Sequence, residues 1–233
     1  MKIHIIRHGD PDYSIDSLTE KGWREANILS DRLTKMPIDA FYCSPLGRAK
    51  DTAKPTIEKL GCELTILDWL REFPGQVISP LTGKKRLMWD LAPSVWCTDS
   101  RFYDIDEWKE PDMIANGTAV QVYESVIKGI DSLLESYGWV RDGMAYRGGE
   151  DKNIALVCHF GLGITLLSYI LGISPVVAQN NFFLAPTSVT TLVTETDKYG
   201  LSHFRASQIG DTSHLYAAGE PVSESGLYPN FDR

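Results

Sequence analysis

The chain has 233 residues, 43% of them apolar, and a formal net charge of -8. That length and apolar content suffice for a large core without disulfide or metal support. The acidic balance argues against a nucleic-acid surface, which needs an electropositive stripe, and no run approaches the roughly 20 apolar residues that cross a bilayer.

Met1 and Lys2 lead straight into Ile3, Ile5 and Ile6 without the n-region, h-region and cleavage site of a secretory signal, so a cytoplasmic location is expected. Apolar and β-branched runs predict strands at Lys2 to Arg7, Phe41 to Cys43, Leu64 to Trp69, Ile154 to Cys158, Ser188 to Thr194 and Ser202 to Ser207. A first helix starts after Thr19 as N-cap, with Leu18 and Trp23 spaced as a hydrophobic staple and one stripe formed by Trp23, Ala26, Leu29, Leu33 and Met36. A second is announced by Ser44 as N-cap and Pro45 at its first position; it ends before Gly61 and is kinked or split at Pro55. A third opens on the capping box of Thr118 and Gln121 and runs through Val122, Val126, Ile130 and Leu133 to Gly138. A fourth follows His159 and carries Ile164, Leu167 and Leu171 before Gly172. Alternating strands and helices imply an α/β fold, a three-layer α/β/α sandwich with a largely parallel central sheet.

Residues 73–117 break that rhythm. They hold Trp89, Trp96, Trp108, prolines and the acids Asp99, Asp104, Asp106, Glu107, Glu110 and Asp112. A structureless loop of this length is uncommon in a compact domain, and disordered segments are poor in aromatics, so an ordered cap inserted into one domain spanning 1–233 is expected. The tryptophans fit a small satellite cluster of that cap.

Ligands of open α/β sheets bind beyond the carboxyl ends of the strands. The expected strand ends carry Arg7-His8-Gly9, Ser44-Pro45-Leu46-Gly47-Arg48-Ala49, Leu70-Arg71-Glu72 and His159-Phe160-Gly161. Arginine matches phosphate oxygens with a planar fork of donors, so Arg7 and Arg48 suit a transferring phosphoryl group. His8 can attack phosphorus as a neutral imidazole, a form that neighbouring cations favour. Gly9 allows close backbone approach to phosphate, and His159 stands at a helix mouth where it can donate to the same oxygens. Glu72 can protonate a leaving alkoxide and then activate water, with Asp10, Asp12 or an acid of the insertion as alternatives.

These motifs, in this order and with Thr52-Ala53 after the second, resemble the histidine phosphatase (phosphoglycerate mutase-like) superfamily over roughly residues 1–72 and 118–207. The resemblance implies His8 as nucleophile, Arg7, Arg48 and His159 as the phosphate pocket, Glu72 as proton donor, and chemistry that needs no metal or other cofactor. It makes Arg7, Gly9, Ser14, Arg48, His159 and Phe160 the candidate substrate contacts. Where many members read Arg-His-Gly-Glu-Thr-x-x-Asn, this chain has Asp10, Pro11, Asp12, Tyr13 and Ser14 after Gly9. After Glu72 it reads Phe73-Pro74-Gly75, where glycolytic mutases have Arg-His-Tyr-Gly, and Phe160 replaces the first of two commonly paired glycines.

The expected function is therefore hydrolysis of a small phosphorylated metabolite through a phosphohistidine on His8. A phosphomutase of the same fold and a non-catalytic phospho-ligand module are the alternatives. A pure binder needs neither a nucleophile nor a proton donor. Cys43, Cys62, Cys97 and Cys158 lack metal-ligand spacing and are expected free and mostly buried. His4 and His203 read as strand residues, His214 as part of a polar loop, and Lys84-Lys85-Arg86 as a solvated turn. Substrate identity and oligomeric state are not written in the sequence.

Overall fold

The computed structural model describes residues 1–227. Its elements in chain order are β1 (Lys2–Arg7), β2 (Pro11–Asp12), β3 (Ser17–Leu18), α1 (Glu20–Leu33), β4 (Ala40–Cys43), α2 (Gly47–Leu60), β5 (Leu64–Ile66), β6 (Gln76–Ile78), β7 (Lys85–Leu87), α3 (Pro93–Trp96), α4 (Asp112–Ala115) and α5 (Ala119–Ser136). They continue with β8 (Trp139–Asp142), β9 (Ala145–Gly148), β10 (Asn153–Cys158), α6 (Phe160–Leu171), α7 (Pro175–Asn181), β11 (Val189–Thr196), β12 (Leu201–Asp211) and α8 (Ser213–Ala218).

The central sheet has eight strands in the order β5-β4-β10-β1-β11-β12-β9-β8. The half from β5 to β1 is parallel, and from β11 outward the pairing is antiparallel. Strand alternation builds two cores. Ile3 and Ile5 of β1, with Ile154, Leu156 and Cys158 of β10, join the cluster of α5 and α6, while Ile6, Ala155 and Val157 face Leu29, Leu33, Ala49 and Ala53 of α1 and α2. This is the expected three-layer α/β sandwich. The β8–β9 hairpin at its edge escaped the sequence reading because it is short and carries Arg141, Asp142 and Arg147 in place of apolar alternation.

Local signals fared unevenly. Thr19 caps α1 by accepting from Gly22 N–H at 3.0 Å, and Gly61 and Gly172 stop α2 and α6 in left-handed conformation. Ser44 and Pro45 do not open α2: the helix begins at Gly47 with Leu46 as N-cap, and it runs through Pro55 as one element. Thr118 precedes α5 but makes no capping bond; its hydroxyl accepts from Gln76 N–H at 3.1 Å instead. The third expected strand stops at Ile66, and a single 3-10 turn, Asp68–Leu70, carries the chain to Glu72.

Residues 73–117 are ordered, with the β6–β7 ladder, α3, α4 and three further 3-10 turns. Trp96, Trp108, Phe102 and Met88 join the main core cluster and not a separate satellite, a correction whose cause is that the segment lies directly on the main fold. Ser174 Oγ donates to Phe102 O at 2.5 Å and Asn180 Nδ2 to Met88 O at 3.0 Å, which ties it to α7. Cys43 and Cys158 are buried, whereas Cys62 and Cys97 are exposed, and all four are free thiols. Among the described residues no helix is long and apolar enough to cross a membrane.

Candidate active site

The carboxyl ends of β1, β4 and β10 bring Arg7, His8, Ser44 and His159 together. Arg7, His8 and His159 are 2%, 1% and 0% exposed, and the two imidazole rings lie 5.1 Å apart in an edge-on arrangement. The histidine tautomers follow from their partners. His8 Nδ1 lies 2.7 Å from Gly9 O, and a carbonyl only accepts, so Nδ1 carries the proton and Nε2 presents its lone pair. Arg48 Nε donates to that Nε2 at 3.3 Å. Burial, then the charge of Arg7, pushes the His8 pKa down to about 3, with Arg48 adding to the effect, so the ring is a neutral base at ordinary pH.

His159 precedes the first residue of α6, and its Nε2 lies 2.7 Å from Ser44 Oγ. Ser44 Oγ accepts from Leu46 N–H at 3.2 Å and, with a second lone pair and its own hydrogen, can accept from or donate to His159 Nε2 according to the tautomer of that ring. Among the described residues the buried His159 Nδ1 has no hydrogen-bond partner, and neither has Arg7 Nε. A buried guanidinium N–H left open beside two imidazole rings suits an anionic ligand. Burial, reinforced by His8, Arg48 and Arg7, holds the His159 pKa well below its ordinary value.

Arg7 is fixed by Nη1 donating to Leu184 O at 2.6 Å, and its guanidinium lies over the rings of Phe160 at 5.2 Å and Phe183 at 5.8 Å. Phe160 meets Trp89 edge-on at 5.7 Å. A Cβ on Gly161 would overlap the Trp89 ring, so glycine there is required by the close approach of the 73–117 segment. The Phe160-Gly161 pair thus links Arg7 to that segment. Gly9 donates its N–H to Thr52 Oγ1 at 2.9 Å, and Thr52 donates onward to Arg48 O at 2.7 Å, which joins the loop after β1 to α2.

Glu72 Oε1 accepts from Phe73 N–H at 2.8 Å and Leu162 N–H at 3.1 Å, so Oε2 is the oxygen left to carry a proton. Burial raises its pKa against the pull of those N–H groups and of Arg7 and Arg48. Of the rival acids, Asp10 and Asp12 are engaged elsewhere. Asp10 Oδ2 accepts from Thr19 Oγ1 at 2.8 Å and Oδ1 from the Ser223 hydroxyl, while Asp12 Oδ1 holds Ser14.

Ser14 stands apart from the buried cluster. It is exposed, and both its hydroxyl, at 2.5 Å, and its N–H, at 2.9 Å, go to Asp12 Oδ1. His4 is a buried strand residue bonded to Thr191, and His203 is exposed beside Glu195. His214 is buried against Arg32 and Thr187, whose N–H in turn reaches Arg7 O at 3.1 Å, so it supports the end of β1 from behind. The sequence reading missed Asp16, Tyr13 and Phe183. No motif flags them, although an aspartate within hydrogen-bonding range of an arginine is detectable once the loop path is known. Among the described residues no group of three or more His, Cys, Asp or Glu side chains is placed to hold a metal ion.

A mixed α/β sandwich with histidines and arginines gathered at the carboxyl edge of its parallel strands defines the class. The chain belongs to the histidine phosphatase superfamily, branch 1, whose family model matches residues 3–207. It is 26% identical over 229 residues to a probable phosphoglycerate mutase, GpmB, of Salmonella choleraesuis, covering 93% of this chain and 96% of that protein. Solved structures of similar fold include a phosphoserine phosphatase of Entamoeba histolytica bound to 3-phosphoglyceric acid, with TM-score 0.61, 20% identity, and 92% of this chain and 98% of that one covered. A mycobacterial glucosyl-3-phosphoglycerate phosphatase bound to inorganic phosphate gives TM-score 0.62 at 21% identity, with 91% and 98% covered.

Proposed function

We propose that this protein is a phosphomonoesterase that hydrolyses a small phosphorylated metabolite through a phosphohistidine at His8 Nε2. The observation that carries this reading is the pairing of a neutral, oriented His8 lone pair with two buried polar atoms, Arg7 Nε and His159 Nδ1, that have no partner among the described residues. Arg7, the Arg48 fork and His159 in its Nδ1–H form take the phosphoryl oxygens as negative charge builds on them. His8 Nε2 forms the P–N bond while the P–O bond to the alcohol breaks, and the Glu72 carboxyl gives its proton to the departing oxygen. Ionised Glu72 then takes a proton from water as its oxygen attacks phosphorus. The P–N bond breaks, and His8 returns to its starting state as inorganic phosphate leaves.

Charge neutralisation rests on arginine and histidine, so turnover is expected to survive exhaustive chelation. In this reading residues 73–117 form a cap that shapes the alcohol side of the pocket through Trp89, and Arg7, Gly9, Arg48, His159 and Phe160 contact the phosphoryl end. A phosphomutase is the second reading, supported by the name of the Salmonella relative. Against it stands Phe73-Pro74-Gly75 after Glu72.

The experiment is turnover of a broad panel of phosphate esters with inorganic phosphate as readout and His8→Ala as control. Label trapped on the wild-type protein should be acid-labile and alkali-stable. Isomerised ester without phosphate release would replace the hydrolase by the mutase, and acid-stable label would remove His8 as nucleophile.

A further inference from the structure

Arg48 does not reach the His8 lone pair unaided. Its Nη1 donates to Asp16 Oδ1 at 2.6 Å, and the other oxygen of the same carboxylate accepts from Gly47 N–H at 2.7 Å. One aspartate therefore grips both the guanidinium and the first residue of the helix that carries it. Two features of the chain exist to allow this grip. Asp16 has φ of 48°, a left-handed conformation that costs most side chains about 1–2 kcal/mol and that aspartate tolerates better than others. A Cβ on Gly47 would overlap the backbone carbonyl of Asp16, so the two segments meet only because residue 47 is glycine.

We propose that Asp16 is a positioning residue for phosphoryl transfer, which fixes the Arg48 fork so that its Nε edge serves the phosphoryl group held at His8. The inference rests on the reading of His8 and Arg48 given above. Pinning Nη1 fixes the rotation of the planar fork, and the edge formed by Nε and Nη2 is then turned toward His8. In turnover the Nε–H now covering the Nε2 lone pair passes to a phosphoryl oxygen, with Nη1 still held as a pivot. Partial burial works against the charged carboxylate, but the N–H of Gly47 and the Arg48 guanidinium hold the Asp16 pKa below the usual carboxylate range. It is an anion in the working state.

An anionic clamp has a signature that a merely structural residue lacks. Ground-state attraction of phosphate depends on net charge, whereas stabilisation of the transition state depends on donor direction. Asp16 withdraws positive charge from the site while it directs the donors, so its removal should affect the two quantities differently.

The test compares wild type with Asp16→Asn, which keeps the shape and tolerates the left-handed backbone, and with Asp16→Gly, which removes the carboxylate without backbone strain. Turnover of an activated aryl phosphate gives kcat, and calorimetric titration with inorganic phosphate gives Kd. The expected result is a fall in kcat of about 10-fold or more, with phosphate binding unchanged or a few-fold tighter. Unchanged kcat in both variants, or parallel loss of kcat and phosphate affinity in variants that are folded by circular dichroism, overturns the proposal. Failure of wild type to hydrolyse any aryl phosphate strikes the reading of His8 itself. The phosphate titration then still decides the clamp, because weaker binding in both variants contradicts it.

Discussion

The floor and the rim of the candidate site are built on different principles. On the floor, Arg7, His8 and His159 stand at the ends of β1 and β10, two hydrogen-bonded central strands whose register sets Arg7 opposite Cys158. Every one of these side chains is buried, and each is oriented by a backbone carbonyl or a buried hydroxyl. On the rim, Arg48 depends on a loop: Asp16 grips it and the exposed Tyr13 ring lies 5.4 Å from its guanidinium. The floor is rigid because the sheet defines it, whereas the rim is only as well placed as the turn from Pro11 to Leu18. Chemistry should therefore be most sensitive at the floor and less so at the rim that aims Arg48, whereas substrate choice should lie with the 73–117 segment.

The sharpest break of that distinction is His8→Ala. Loss of the nucleophile should lower turnover by about 10⁴-fold or more, with the fold retained because little apolar volume is removed. Steady-state kinetics and circular dichroism on one preparation check both halves. Residual activity within tenfold of wild type would move the nucleophile elsewhere.

Arg7→Lys ranks next. The charge survives, but the fork, its stacking on Phe160 and Phe183 and the bond to Leu184 O do not, so kcat should fall by about 10²-fold or more. An effect confined to KM would show that Arg7 attracts substrate without assisting the transfer.

Much of the floor was legible in the sequence because the apolar runs from Lys2 to Arg7 and from Ile154 to Cys158 mark two strands, and the residues at their carboxyl ends, where open α/β sheets bind ligands, are Arg7, His8 and His159. Ser44 shows the limit. Its place before Pro45 reads as an N-cap, yet α2 starts at Gly47, and the hydroxyl orients His159 across the sheet. Capping is a local preference, and a tertiary partner outbid it. Thr118 is a second case, its hydroxyl being drawn to Gln76. Asp16 was illegible for another reason: its partner lies 32 positions away, and the contact depends on a left-handed turn that no periodicity announces.

Trp89→Ala sharpens the comparison between the floor and the 73–117 segment. The substitution removes the edge-on partner of Phe160 but touches neither His8 nor Arg48. Selectivity across an ester panel should shift by about tenfold, within the roughly 1–3 kcal/mol that pocket contacts contribute to discrimination, while phosphohistidine formation from a small aryl phosphate changes less. Equal loss on every ester would make Trp89 a support of the floor.

Stability should also report the buried neutral histidines, His8 and His159 of the floor together with His4 and His214 outside it. The folded pKa of His8 is about 3 and those of His4 and His214 about 4, with His159 well below its ordinary 6.5. Folded protein thus binds fewer protons than unfolded chain between those values and 6.5, so stability is complete above about pH 6.5 and is lost as pH falls toward 4. Glu72 and Glu25, whose pKa values are raised by burial, act in the opposite direction over their own range and offset part of the loss. The thermal midpoint should drop between pH 7 and pH 4.5, and His214→Gln should flatten the drop. A midpoint that rises on acidification would mean that these histidines are protonated in the fold.

The smallest expected effect tests the rim at Ser14, a candidate substrate contact by its place in the motif. Its hydroxyl and N–H both go to Asp12 Oδ1, and its side chain is exposed, away from the buried floor. A hydroxyl already donating to a carboxylate within its own turn has little to gain by turning to a ligand, because it would exchange a charge-assisted bond for a similar one. Ser14→Ala should therefore leave kcat unchanged and move KM by less than about twofold, the usual scale for an exposed polar substitution. The neighbouring Asp16→Asn, two residues along the same turn, provides the contrast: a variant of the clamp should lose kcat where a variant of the exposed hydroxyl does not. If Ser14→Ala instead raises KM tenfold with kcat intact, the turn must rearrange on substrate binding so that Ser14 leaves Asp12. The rim would then be a moving part and not a fixed frame for Arg48.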